Sequence, residues 1–376
     1  MKRLISLLLV VLMVFSLAAC GGNGADDDTG SDADVEDTGD DAEVPAASGD
    51  IQKIGISMPT KDLQRWTLDG ENLKAELEAE GFEADLQFAN NDVGEQVAQI
   101  ENMLASGADV IVIAAIDGSA LTTVLDGAKA NGVIVISYDR LIMNSDAVSY
   151  YATFDLERVG EMQGQYIADA LDLENTDETY NIEIFTGPTD DNNVNFFYGG
   201  AMKVLQPYID DGTLVVPSGQ VSLAETATNA WSTEEAQKRM ENIISANYGD
   251  GTVLDAVLSS NDSVANGVTN AVVNGYPGDN FPIITGQDCE TTAVKNIIRG
   301  QQSMSVFKDT RELAQAVVDM IVALANGEEP PVNDTETYDN GTGIIPSNLL
   351  DPIAVDIDNY EEVLIGSGYY TEDDLK

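Results

Sequence analysis

A chain of 376 residues with 43% hydrophobic content is long enough for two globular lobes of ordinary domain size, each with its own core. Its net charge of −49, with 66 acids against 17 Lys and Arg, excludes nucleic-acid recognition, which needs clustered cations on phosphate. The absence of histidine excludes His-dependent triads and the usual zinc sites and weakens the general case for an enzyme, while leaving carboxylate-only chemistry possible. The acidic excess itself reads as a solvated surface suited to a saline medium and does not imply a cationic ligand.

Taken in chain order, Met1-Lys-Arg3 and the apolar run Leu4–Ala19 have the form of a secretory signal, short for a spanning helix of about 20 residues. Leu17-Ala-Ala-Cys20 resembles a bacterial lipoprotein signal. It implies removal of residues 1–19 and lipidation of Cys20, the alternative being an ordinary secretory signal with an incidental cysteine. Residues 20–50 are rich in Gly, Ala, Ser, Thr and acids and carry no Lys or Arg, which predicts a disordered acidic linker. With Cys20 given to lipid, Cys289 has no partner for an intramolecular disulfide.

From Ile54 the pattern alternates strand and helix. Ile54–Pro59 is a short apolar run, and Leu68, Leu73 and Leu77 mark a helix closing near Gly81. Ala84–Ala89 alternates as a half-buried strand, and Val97, Ile100, Met103 and Leu104 share one helical face. Asp109–Ile116 is a continuous apolar strand, suited to a sheet covered on both sides. Leu121, Val124, Leu125 and Ala128 make the next helical face, before the strand Val133–Tyr138. After residue 180 strands are predicted at Tyr180–Thr186, Leu214–Pro217, Leu254–Ser259 and Pro282–Thr285, with helices around 194–206, 233–246 and 263–274. A last pair falls at Ser303–Phe307 and Thr310–Leu324. Two such series predict an α/β fold of two doubly wound parallel-sheet lobes with right-handed crossovers.

Ligands in such sheets bind beyond the carboxyl ends of the strands. Polar clusters occupy those ends: Gln64-Arg65-Trp66, Asp117-Gly118, Tyr138-Asp139-Arg140, Asp190–Asn193, Asn261-Asp262, Gln287-Asp288 and Phe307-Lys308-Asp309. Carboxylates and Asn amides accept from hydroxyls, Arg and Lys donate to them, and an aromatic face covers a C–H patch, which together suit a sugar. Trp66 and Trp231 are the chain's only tryptophans. Each feature has a plainer reading: Asp117 as a turn or helix cap, Asp262 as a cap, Arg65 as a solvated helix residue, Trp231 as core.

Together these segments resemble the periplasmic-binding-protein superfamily of ribose- and galactose-binding type, most of all its xylose-binding and multiple-monosaccharide-binding members. The resemblance runs through Gln99-Ile-Glu-Asn-Met103, Tyr138-Asp-Arg-Leu-Ile142, Tyr151-Ala-Thr-Phe-Asp155, Asp191-Asn-Asn193 and Gly200-Ala-Met-Lys-Val-Leu205. It continues through Asn261-Asp262, Gly286-Gln-Asp288, Val306-Phe-Lys308 and Val332-Asn-Asp334. It implies the type I fold, with an N-terminal lobe of 51–155 plus 289–325 and a C-terminal lobe of 156–288 plus 326–376, joined by crossover strands. It also implies a monosaccharide held in the cleft by Arg65, Asp139, Arg140, Asp191, Asn193, Asn261, Asp288 and Lys308. Trp66 and Trp231 would lie near the ring, and Asp117 is included at a position where relatives vary. Phe154-Asp155-Leu156 departs from the common Phe-Asp-Asn at the first crossover. Asp172–Glu178 lacks the glycine and ligand spacing of a calcium loop, so neither a metal nor a cofactor is expected.

The function implied is a monomeric binding protein without catalysis, lipid-anchored on the outer face of the cell membrane. It would capture xylose, glucose, galactose, arabinose or a similar aldose by hinge closure and deliver it to an ABC permease and its ATPase. The alternatives are a sensor presenting sugar occupancy to a receptor and, further off, a carboxylate-based surface glycosidase. Sugar-responsive repressors share the fold, but the export signal and the lack of DNA-binding helices before Ile51 argue against them.

Overall fold

The computed structural model describes residues 51–376. The expected signal peptide, the lipidation site Cys20 and the linker before Ile51 lie outside the described residues. The first half runs β1 (Lys53–Met58), α1 (Gln64–Ala79), β2 (Glu83–Phe88), α2 (Val93–Ala105), β3 (Val110–Ile113), α3 (Thr122–Ala130), β4 (Ile134–Tyr138) and β5 (Val148–Phe154). The apolar run of β3 is buried along its whole length, as a strand covered on both faces requires. On α2 the inward face carries Gln96, Ile100 and Met103, and Asp92 starts the helix by accepting from the Glu95 amide at 3.0 Å.

The second half runs α4 (Leu156–Ala170), β6 (Tyr180–Phe185), α5 (Asn193–Asp211), β7 (Leu214–Val215), α6 (Leu223–Thr226), α7 (Thr233–Ile243), β8 (Ala256–Ser259), α8 (Asp262–Gly275), β9 (Ile283–Ile284) and α9 (Thr291–Ile298). It ends with β10 (Met304–Phe307), α10 (Thr310–Ala325), β11 (Ser347–Leu350) and β12 (Ile353–Asp356).

Two sheets result. The first is parallel throughout, in the order β11-β5-β4-β3-β1-β2. The second contains β7-β6-β8-β9, also parallel. A parallel bridge from Gln287 to Val306 carries it on to β10, and β12 pairs antiparallel with β10. In the first sheet β1 lies between β3 and β2; in the second β6 lies between β8 and β7. The chain leaves to opposite sides at each of these points, and there a crevice opens beyond the strand ends.

Three connections link the sheets: β5 to α4, β10 to α10, and β11 to β12. This differs in part from the expected boundaries. Residues 289–325 divide, because α9 packs on α8 and β10 joins the second sheet, whereas α10 packs on α1 and β5. Within 326–376, β11 pairs with β5 of the first sheet and β12 with β10. Strand pairing over nearly 200 residues is set by tertiary geometry, and local periodicity carries no trace of it.

The helix α4 escaped the periodicity reading because its buried face is made largely of small and polar residues, including Gly160, Gln163 and Gly164. It lies backbone to backbone on α5: a Cβ at Gly160 would stand 2.0 Å from the Phe197 carbonyl oxygen, and one at Gly200 2.1 Å from that of Glu157. At the first crossover Asp155 caps α4, accepting from Arg158 N at 3.0 Å, and Leu156 is fully buried. Among the described residues, no helix is long and apolar enough to cross a membrane.

Candidate ligand-binding site

The carboxyl ends of the two sheets face one another across a cavity of about 280 Å³. The first sheet contributes Leu63 before α1, Arg65 and Trp66 from the first turn of α1, and Asp139 and Arg140 from the end of β4. The second contributes Asp191, Asn193 and Phe197 at the start of α5, Trp231 before α7, and Asn261 at the start of α8. Gln287 and Asp288 follow β9, and Lys308 follows β10. Of the eleven residues that the resemblance assigns to the sugar, all line this cavity except Asp117. There the turn reading applies: the carboxylate accepts from the Ser119 amide at 2.8 Å, and the residue is absent from the lining.

Buried charges are tolerable only when paired, and here each has a partner. Arg65 lies 3.0 Å from Asp69 through Nε, 2.9 Å from Asp139 through Nη2 and 3.1 Å from Asp288 through Nη1. Lys308 sits 3.4 Å from Asp139 and 3.2 Å from Asp288, and Arg140 reaches Asp191 at 2.9 Å. Within the lining the three cations Arg65, Arg140 and Lys308 balance the three carboxylates Asp139, Asp191 and Asp288. Burial pushes the Asp139 carboxyl up, but Arg65, Lys308 and Arg140 outweigh it and leave it below its usual value.

Asp139 is held by its backbone as much as by its charge. Its φ of 59° is left-handed, a conformation Asp tolerates better than most residues. Its carbonyl accepts from Tyr151 Oη at 2.6 Å, Thr153 Oγ1 at 3.0 Å and Asn193 Nδ2 at 2.8 Å. The last of these ties the two sheets together.

The aromatic walls are fixed in different ways. Trp66 is flanked by two guanidiniums, with Arg65 at 4.5 Å and Arg140 at 5.0 Å from its ring centre. Trp231 donates through Nε1 to Asp191 at 3.1 Å, and Phe197 meets it edge-on at 6.4 Å. Three polar atoms of the lining are buried without a hydrogen bond among the described residues: Arg65 Nη2, Trp66 Nε1 and Gln287 Oε1. Although Arg65 Nη2 is close to Asp139, its N–H is not aligned on it. Buried donors and acceptors left unmade cost about 1–3 kcal/mol each, so this wall suits a ligand carrying several hydroxyls. No group of His, Cys, Asp and Glu among the described residues is placed to hold a metal ion.

At α8 the capping roles differ from expectation. Asn261 is the cap, with Oδ1 accepting from Val264 N at 2.9 Å, which leaves its amide Nδ2 for the cavity. Asp262 is instead fully buried behind the wall, accepting from Gln302 at 2.9 Å, from Ser305 at 2.8 Å and from the Glu290 amide at 2.9 Å. The sequence reading also missed Leu63, Phe197 and the supporting Asp69, and it named Gln287 at its strand end without assigning it to the ligand. Two signals pointed to them: Asp69 stands four residues after Arg65, and Phe197 four after Asn193, each one helical turn away.

Behind the ion pairs lies a second layer of acids. Burial, with Asp288 beside it, pushes Glu290 up to about 7 against the Ser263 hydroxyl and Arg65. Burial likewise raises Asp69 to about 6 against the pull of Arg65, and holds Asp262 well above the carboxylate range. Acids raised in the folded state stabilise it below their unfolded pKa, and that contribution is lost as pH rises through the folded values. Stability to urea is therefore expected to fall between about pH 4 and 7, by on the order of 1–3 kcal/mol. Glu290→Gln, which keeps an acceptor for Ser263, should flatten the upper part of that slope. A profile that rises over this range would contradict the assignment.

Comparison with known proteins accounts for nearly all of the described chain. The periplasmic binding protein domain family matches residues 54–329. The multiple sugar-binding periplasmic receptor ChvE of Rhizobium radiobacter is 50% identical over 335 residues, covering 88% of this chain and 94% of that protein. The D-xylose-binding periplasmic protein of Escherichia coli K12 is 36% identical, covering 86% and 92%. An ABC transporter solute binding protein from Clostridium phytofermentans, crystallised with β-D-glucose, superimposes with a TM-score of 0.85 at 59% identity, over 86% of this chain and all of that one. The two doubly wound sheets are thus the type I fold that the strand–helix alternation led us to expect. By its matched residues, coverage and identity, the chain belongs to the periplasmic binding protein family.

Proposed function

We propose that this protein is an extracytoplasmic, non-enzymatic solute-binding protein that captures an aldopentose or aldohexose and delivers it to an ABC permease driven by a cytoplasmic ATPase. One observation carries the reading. The cavity is closed by side chains from both sheets that are rich in hydrogen-bonding groups, walled by tryptophan and balanced in charge. Such a wall favours a neutral polyhydroxylated ligand over an anion or a cation. Relatives named for multiple sugars and for D-xylose, and the glucose-bound structure, support the same class of ligand.

In this reading the lobes follow the sheets: 51–154 with 308–350, and 156–307 with 353–376. Sugar contacts both lobes only when they are closed, and this differential affinity drives closure about the three crossovers. Arg65, Trp66, Asp139 and Arg140 act from one lobe and Asp191, Asn193, Trp231, Asn261 and Asp288 from the other, with Lys308 at a crossover. Cys20 would anchor the protein, as a monomer, by lipid to the outer face of the membrane.

The test is calorimetric titration of the purified protein with D-glucose, D-xylose, D-galactose and L-arabinose. Saturable binding of at least one at micromolar or tighter affinity is expected. Heats indistinguishable from dilution across the panel would reject the reading.

A further inference from the structure

The seam between the two bodies carries a second set of links that do not reach the cavity. Gln64, the first residue of α1, is half-buried. Its Oε1 accepts from the Thr291 amide at 3.1 Å and from Thr291 Oγ1 at 3.0 Å. Its Nε2 donates to Tyr370 Oη at 3.3 Å, and that hydroxyl donates to the Cys289 carbonyl at 2.9 Å. A single amide thus joins the start of α1, the start of α9 and the C-terminal tail.

These three partners do not belong to one body. The helix α1 packs with α10 in the core of the first sheet, through Leu73, Leu77, Leu313 and Val317. Thr291 opens α9, which packs on α8 and β10 of the second sheet. The tail goes with that side: Leu364, Tyr370 and Leu375 pack on Cys289, Val294 and Val355. A rotation about the three crossovers that separates the sheet ends must therefore break the bonds from Gln64. The adjacent tyrosine marks the pivot, since Tyr369 stacks edge-on to Phe307 at 4.7 Å and its hydroxyl lies 3.2 Å from Thr310 Oγ1, at the β10–α10 connection.

We infer that Gln64 and Tyr370 form a clasp that stabilises the closed arrangement and so sets ligand affinity without touching the ligand. This rests on the hinge-closure reading above. Gln64 precedes Arg65, and Thr291 lies three residues after Asp288. The Arg65–Asp288 pair at 3.1 Å crosses the same seam. The clasp is thus a positioning device for that pair: when it is formed, the two charged groups are already in register. Because apparent affinity scales with the fraction of competent molecules, weakening the clasp reduces affinity, and the reduction appears in the rate of release, since the bonds hold only the closed form.

The full chain serves for the test, with Gln64→Ala and Tyr370→Phe. For Gln64→Ala, the Kd for D-glucose or D-xylose is expected to rise about tenfold, chiefly through faster release in stopped-flow tryptophan fluorescence. Tyr370→Phe, which keeps the ring, should give about a threefold rise. Ligand-free small-angle scattering should show a larger radius of gyration for Gln64→Ala than for the unaltered chain. A merely structural role would lower the Tm while leaving release and ligand-free dimensions unchanged, and that result overturns the clasp. Unchanged Kd together with unchanged scattering overturns it as well. If the unaltered chain binds neither sugar, the sugar-binding reading fails, and the clasp is then judged on scattering alone: equal dimensions reject it.

Discussion

Asp139→Asn is expected to reduce affinity for the preferred aldose by about 100-fold or more. The carboxylate faces Arg65 at 2.9 Å and Lys308 at 3.4 Å, all three side chains being almost wholly buried. Removing one partner of a buried ionic group costs about 3–5 kcal/mol, and here it leaves Arg65 and Lys308 with only Asp69 and Asp288 to balance them. Each 1.4 kcal/mol is about a factor of ten in binding. Asparagine isolates the charge: it tolerates the left-handed backbone at φ 59° and leaves intact the carbonyl that accepts from Tyr151, Thr153 and Asn193. Calorimetry reads the affinity, and thermal melting of the same sample shows whether the variant is folded. A folded variant within about threefold of the unaltered protein would remove Asp139 from the proposed site. Since Arg65, Lys308 and Arg140 hold the Asp139 carboxyl below its usual value despite burial, its stabilising contribution is present above the ordinary carboxylate pKa. It is lost only as pH falls through the depressed value, opposite in sign to the Glu290 effect.

Gly187→Ala should be nearly as damaging, although it adds a single methyl group. A Cβ at Gly187 would stand 2.2 Å from Cζ2 and 2.3 Å from Cη2 of Trp231, far inside contact distance. The ring cannot stay where it is. Its Nε1 holds Asp191 at 3.1 Å, and Asp191 holds Arg140 at 2.9 Å, so displacing Trp231 disturbs three residues of the lining together. Overpacking of this kind costs about 1–3 kcal/mol of stability, and we expect a loss of affinity of about 30-fold or more. A second substitution sharpens the test. Trp231→Phe removes the ring edge that the methyl strikes, so in the double variant most of the stability should return, while affinity stays low because the Nε1 donor is gone. That non-additivity is the signature of direct contact. Additive losses in both quantities would show that Gly187 acts elsewhere.

How far the sequence alone reached can be judged from particular residues. Arg65, Asp139, Asp191, Asn261 and Asp288 were legible because strand ends are legible: each follows a short apolar run, and a polar cluster there is placed by the strand before it. Asp117 satisfied the same rule and still lies outside the cavity, since a strand end fixes where a loop begins and leaves open which way its side chain points. Phe197 and Gln287 were not assigned to the ligand for the converse reason. Both sit beside flagged residues, but their exposure to the cavity depends on how α5 and the end of β9 are set against the opposite sheet.

The alternation of strands and helices, the parallel class of both sheets and the positions of most lining residues follow from period-2 and period-3.6 patterning, which is local and printed in the chain. The tertiary structure alone decided that β11 returns to the first sheet and β12 to the second, that glycines on α4 and α5 bring two backbones into contact, and that Gln64 meets Thr291 and Tyr370. It also decided which carboxylate faces which cation. These pairings join residues up to hundreds of positions apart. Their energy depends on distance and burial, quantities that no window of sequence contains until the chain has closed on itself.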